Sequence, residues 1–335
     1  MSKSNENPFR QWVQLEQPRL GSHVVYATDD FFAPKERLIQ PAEPVFIPDK
    51  YDEHGKWMDG WESRRKRVPG HDYCTLRLGI PGVVRGLDID TRHFTGNFPP
   101  AASVQACVAD AEIPAADVEW QELLPKSALQ GDSHNYYSVD NDLPWTHLQL
   151  HIYPDGGVAR LRVYGEVRPD WSDVSGDEVI DLFALENGGR ALVCNDEHFG
   201  SMHNLNVPGR GINMGDGWET ARRRQPGNDW VIVALGHPGV IQRVEIDTAH
   251  FKGNYPDRAA LQGALLSDDD ELSIESASEN WPLVLPETRL KMDQQHFFED
   301  ELQAVGPVSH LRLSIFPDGG VSRLRLFGHL SRQGK

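Results

Sequence analysis

Nothing in the sequence is apolar for long enough to cross a membrane as a helix, which takes ~20 residues. Apolar residues make up 39% of the 335 positions and charged residues 25%, ordinary proportions for a globular chain that stays in water. Cysteine is scarce. Cys74, Cys107 and Cys194 are too few and too scattered for a disulfide framework or a CxxC metal site, and they read as small buried residues. Positive charge is also in deficit, with 33 Lys and Arg against 50 Asp and Glu and a net charge of −17. Such a balance repels phosphate backbones and anionic lipid, which argues against nucleic-acid and membrane partners. The opening MSKSNENPFRQW lacks the apolar core of a secretory signal and the arginines of a transit peptide, so a cytoplasmic location is expected. No HExxH, HxH or Cys-rich spacing is present, and no Gly-rich phosphate loop stands between a strand and a helix. The sequence therefore requires no cofactor. Asp90 and His93 in one loop leave a divalent metal open.

What the sequence does contain is itself, twice. DGWESRRKRVPGHD from Asp59 matches DGWETARRRQPGND from Asp216, and LGIPGVVRGLDIDTRHFTGNFP from Leu78 matches LGHPGVIQRVEIDTAHFKGNYP from Leu235, both offset by 157 positions. HLQLHIYPDGGVARLRVYG from His147 matches HLRLSIFPDGGVSRLRLFG from His310, and DDFF at Asp29 matches DEHF at Asp196 more weakly. The period is too long for a solenoid, so each copy reads as a whole domain, residues 1–170 and 171–335. The join falls in the RPDWSDVS stretch from Arg168 to Ser175, and EVIDLFALENGG after it reads as a short helix ended by glycine.

The apolar period within each copy is two. Leu148, Leu150 and Ile152 alternate with polar residues, and PDGG then turns the chain into Val158, Leu161 and Val163, the pattern of a β-hairpin. TLRLG from Thr75 leads through a Pro-Gly turn into GLDID, again alternating. Short strands, frequent turns and almost no helical period predict an all-β chain of two tandem β-sandwiches of jelly-roll type.

The polar residues kept by both copies fall into two clusters. The first holds Asp59, Glu62, Arg65 and Arg67, with Asp216, Glu219, Arg222 and Arg224 opposite. In an extended segment Arg65 and Arg67 share a face and would form a carboxylate clamp, although surface pairing with nearby acids explains such arginines equally well. The second cluster holds Asp90, Thr91, His93, Phe94, Gly96 and Asn97, with Asp247, Thr248, His250, Phe251, Gly253 and Asn254 opposite, in a polar run that ends a strand. Loops at the rim of a rigid sandwich are where function concentrates. His93 suits acid or base work, against the plainer alternative of a hydrogen-bonded packing histidine. His147 and His310 read as structural.

With both motifs repeated, DGWESRRKR and LGIPGVVRGLDIDTRHFTGN, the chain resembles the allantoicase family over nearly its whole length. The resemblance implies galactose-binding-like jelly rolls and hydrolysis of allantoate to ureidoglycolate and urea in allantoin degradation, a hydrolase acting on linear amidines. That reaction demands a grip on one carboxylate, a proton for a departing urea nitrogen, and water delivered to the central carbon. The duplicated residues are expected to serve as follows. Arg65, Arg67, Arg222 and Arg224 take the carboxylate, with Asp59 and Asp216 beside them in substrate binding. His93, His250, Glu62 and Glu219 move protons, and Asn97 or Asn254 holds a ureido oxygen. A non-catalytic tandem carbohydrate-binding protein is the rival reading, and the repeated arginines count against it because a neutral sugar needs aromatic and amide groups instead. Two sites, one shared site, or one live and one degenerate site all fit the duplication, and a homo-oligomer fits general frequency.

Overall fold

A computed structural model describes residues 7–169, 171–172, 174–266 and 274–331. Asp170 and Asp173, within the join expected from the sequence, lie outside the described residues. The chain divides into two compact units, Met1–Arg168 and Pro169–Lys335, each an all-β jelly roll.

In the first unit the strands are β1 (Val13–Gln14), β2 (His23–Ala27), β3 (Tyr51–Asp52), β4 (Gly55–Lys56), β5 (Trp61–Glu62), β6 (Asp72–Asp90), β7 (Ala101–Cys107), β8 (Gln121–Ala128), β9 (Tyr136–Ser138), β10 (Pro144–Tyr153), β11 (Gly157–Val158) and β12 (Arg160–Val167). The second unit has β13 (Ile180–Asp181), β14 (Arg190–Cys194), β15 (Trp218–Glu219), β16 (Asp229–Asp247), β17 (Arg258–Ala264), β18 (Leu283–Arg289), β19 (Gln295–Phe298), β20 (Val308–Phe316), β21 (Gly320–Val321) and β22 (Arg323–Leu330).

The organising element of each unit is its 19-residue strand. The first half of β6 pairs with β2 and with β10, which continues the sheet to β7 and β8. The second half pairs with β9 and with β12, which carries β1. One strand thus belongs to both layers. In the second unit β16 does the same, with β14 and β20 along its first half and β19 and β22 along its second. Inward side chains such as Leu76, Leu87, Ile89, Leu148, Leu150 and Leu161 are fully buried, as alternation requires.

Three local expectations need correction. Pro81-Gly82 does not turn the chain back: β6 runs straight through it, with only a register shift in its pairing to β10. PDGG does not close a hairpin either. β10 and β12 pair with opposite halves of β6, so Pro154–Gly157 carries the chain from one layer to the other. Strictly local alternation cannot distinguish a hairpin from a crossing between layers, because both present apolar residues at period two. Finally, the helix expected after the join is mostly absent: Ile180–Asp181 is strand, and only Leu185–Asn187 forms a single 3-10 turn, ended by Gly188 at φ 82. Cys74 and Cys107 are buried, Cys194 is half-buried, and all three thiols are free.

Candidate active site

β5 is two residues long, and its alternation sorts two tasks. Trp61 points inward, is fully buried, and donates its indole N–H to the Asp29 carbonyl at 2.9 Å. Glu62 points the other way, into a cavity of about 480 Å³ lined also by Phe32, Phe46, His54, Lys56, His93 and Asn97. The Glu62 backbone is held on both sides, by Ala33 and by Gly157 of β11. The crossing PDGG segment is therefore part of the site's frame. Gly157 donates its N–H to the Asn97 carbonyl at 2.8 Å, and a β-carbon at Gly157 would lie 2.0 Å from the Phe94 ring. Only glycine lets the two segments approach so closely.

Asn97, fixed in this way, donates its side-chain N–H to Glu62 Oε1 at 2.6 Å. Burial raises the Glu62 carboxyl above its ordinary value, and the Asn97 hydrogen bond offsets part of the rise. His93 stacks its ring on Phe46, 6.0 Å between centroids. Its Nε2 lies 3.1 Å from the Pro44 carbonyl, which can only accept, so in the neutral ring Nε2 carries the proton and Nδ1 keeps its lone pair. The second unit repeats the arrangement: Asn254 donates to Glu219, His250 Nε2 donates to the Gly211 carbonyl at 2.8 Å, and Gly320 N–H reaches the Asn254 carbonyl at 2.7 Å.

Asp59 and Asp216 do not line the cavity. Asp59 is buried and its Oδ2 accepts from Arg160 Nη2 at 3.0 Å and from the Val45 amide at 3.0 Å. Asp216 Oδ2 accepts from Arg323 Nη2 at 2.8 Å and from the Ile212 amide at 3.1 Å. A carboxylate so engaged anchors the loop that ends in Pro44 or Gly211, the acceptor for the histidine, and this replaces the direct substrate contact expected from the sequence. Arg65, Arg67, Arg222 and Arg224 are exposed, and in the first unit neither arginine belongs to the cavity lining. The strands end at Glu62 and Glu219, so period-two alternation does not continue through the arginines. The basic residue between them is the one that is tied down: Lys66 pairs with Asp72, and Arg223 Nε donates to Asp229 at 3.0 Å.

Two groups of functional candidates were missed. Arg160 and Arg323 were visible as the R of VARLR and VSRLR but sat in a segment read only for its apolar period. Both are almost fully buried. Lys56, the cation that lines the cavity, lies in β4 of the hairpin β3–β4, which one copy has and the other does not. Residues 46–58 stand between Val45 and Asp59, whereas only residues 213–215 stand between Ile212 and Asp216. Among the described residues, no three His, Cys, Asp or Glu side chains converge as a metal site.

The family model of the allantoicase repeat matches residues 13–168 and again 180–331. The probable allantoicase 2 of Burkholderia pseudomallei is 57% identical over 322 residues, 96% of each chain. The probable allantoicase of Pseudomonas aeruginosa is 57% identical over 96% of this chain and 97% of its own. Among solved structures, the crystal structure of allantoicase from Saccharomyces cerevisiae superposes with a TM-score of 0.79 at 36% identity, covering 95% of this chain and 93% of that one. With two full repeats matched and a relative 57% identical over nearly the whole chain, the chain belongs to the allantoicase family.

Proposed function

We propose that the protein hydrolyses allantoate to ureidoglycolate and urea, and that the first unit's cavity is where it does so. The observation that carries the reading is the meeting of a cation, a burial-raised carboxyl and a histidine with a free Nδ1 in one cavity of a chain whose relatives are allantoicases. Lys56, whose ammonium donates to the Ile47 and Pro48 carbonyls and lies over the Phe46 ring, takes the substrate carboxylate with its remaining N–H. Glu62, whose raised carboxyl keeps a larger protonated share towards neutral pH, donates to the departing ureido nitrogen. His93 Nδ1 receives the proton of the attacking water. Written as a direct displacement, the water oxygen bonds to the central carbon, the C–N bond breaks with its electron pair on nitrogen, and that nitrogen leaves as urea with the Glu62 proton. Paired acid and base groups of this sort contribute ~10² to 10⁴ in rate. Asn97 orients Glu62. Arg65 and Arg67, exposed beyond Glu62, attract the anionic substrate towards the mouth without gripping it.

Three unpaired thiols suit a reducing compartment, which supports a cytoplasmic enzyme. No helix among the described residues is long and apolar enough to cross a membrane. Incubating the purified protein with allantoate and measuring urea tests the reading directly; no urea above background, with a folded protein, would reduce the chain to a binding module.

A further inference from the structure

The imidazole of His93 is delivered by a backbone that residues with a β-carbon avoid. His93 sits at φ 71 and its counterpart His250 at φ 74, in the left-handed region that non-glycine residues seldom occupy, although histidine enters it more readily than most, as asparagine and aspartate do. Strain of this kind persists only where the surroundings over-determine it. At His93 the extra constraint comes from a second loop: the His93 amide donates to Asp132 Oδ1 at 2.8 Å, and Asp132, itself at φ 52, donates its own amide to the Phe94 carbonyl at 3.3 Å. The second unit has the same two-way stitch. His250 N–H reaches Asp293 Oδ1 at 2.7 Å, Asp293 is at φ 51, and its amide meets the Phe251 carbonyl at 3.3 Å.

The two loops are already joined without that carboxylate. Thr91 N–H donates to the Ser133 carbonyl at 2.9 Å, the Thr91 hydroxyl to the carbonyls of Gln130 and Ser133, and the buried Asn135 amide to the Ile89 carbonyl at 2.9 Å. Asp132, by contrast, is exposed, and its side chain adds one thing, a fixed acceptor for the His93 amide. Were His93 to relax to a negative φ, its β-carbon would swing away and Nε2 would lose the Pro44 carbonyl.

We propose that Asp132 is a positioning residue, whose carboxylate holds the His93 backbone in the left-handed conformation that aims the ring into the cavity with Nε2 on Pro44 and Nδ1 free. This rests on the reading of His93 as the base, so the test separates the two. Urea release and the imidazole tautomer, read from nitrogen-15 shifts, are measured for D132A, D132N, D132E and H93Q in the full chain. D132N keeps the acceptor atom and should retain the parent kcat. D132A and D132E, which remove or displace it, should lose about 10- to 100-fold in kcat with KM little changed, the scale of a misplaced catalytic group, and should lose the single Nε2–H tautomer. Unchanged kcat and tautomer in D132A or D132E beside an inactive H93Q would overturn the positioning role, as would D132N falling as far as D132A. A fully active H93Q would remove His93 itself, and the proposal with it.

Discussion

The two units share a scaffold and differ in what stands over it. Both keep the Glu–Asn pair, the histidine on a backbone carbonyl, and the buried Asp–Arg anchor beneath. Only the first has the hairpin that brings Phe46, His54 and Lys56 over the polar residues. In the second, the short link leaves Ile212 73% and Phe199 62% exposed, whereas Phe32, which corresponds to Phe199, is half-buried against the cavity. Even the charges around the loop are exchanged. Arg92 bridges Asp90 and Glu43 in the first unit, while in the second Arg210 reaches Glu245 and Asp247 from the opposite loop and Ala249 stands where Arg92 would. The difference teaches that the frame of the site is a property of the jelly roll, and the enclosure a property of one connecting segment.

The sharpest way to break this comparison is to remove the base from each unit in turn. H93Q should lower kcat for urea release by ~10² to 10⁴, and H250Q far less; equal losses would mean that both copies act. Truncating the buried anchor should treat the units alike, because each leaves an uncompensated buried carboxylate. R160A and R323A are each expected to destabilise the unit that carries them by ~3–5 kcal/mol, read from denaturant unfolding, and a marked inequality would show that the anchors are not equivalent. Lys56 has no counterpart in the short link, so K56M tests the enclosure, removing both the substrate contact and the bonds from its ammonium to the Ile47 and Pro48 carbonyls: losing one charge-assisted contact should raise KM by roughly 10-fold or somewhat more, and an unchanged KM would send the carboxylate back to the arginines.

The smallest effect concerns a buried acid at the edge of each sandwich. Glu16 accepts from the Val163 amide beside Arg162, and Asp181 accepts from the Leu326 amide beside Arg325. Burial pushes Glu16 up to about 7 and Asp181 up to about 6. Groups raised above their unfolded values bind protons more tightly when folded. Their contribution is therefore complete below the unfolded value and is lost as pH rises through the folded one. Thermal stability should fall between about pH 4.5 and 7 on account of Glu16, and between about pH 3.8 and 6 on account of Asp181. E16Q should flatten the upper part of the profile and D181N the lower; identical profiles in both variants would contradict the assignment.

Much of this was legible in the residues. Duplication exposed the two repeats, period-two alternation exposed the strands, and the retained polar residues led to Glu62, His93 and Asn97, which do meet in one cavity. What escaped had a physical cause in each case. Asp59 has the same retention pattern as Glu62, but one is an anchor and the other lines the cavity, a distinction made by burial and by Arg160 a hundred residues away. Arg65 and Arg67 looked convergent only on the assumption that the strand continued past Glu62. Lys56 stands in a segment without a copy, so a comparison between copies was blind to it. PDGG reads as a turn, and its sequence gives no hint that it pins Asn97 and Glu62 together.

Because β6 and β16 each run through both layers of their sandwich, neither layer can detach without breaking the backbone ladder of the strand that carries the other. Local opening is the ordinary route by which amide protons escape to solvent. Along the paired stretches of these two strands, 72–77 and 82–90 in β6 and 229–234 and 239–247 in β16, that route is closed, and their ladder amides should exchange with deuterium only when the whole unit unfolds, while the two-residue strands that carry Glu62 and Glu219 exchange much sooner. The rigid record of each fold and the mobile edge of its chemistry would then be readable, residue by residue, on a clock.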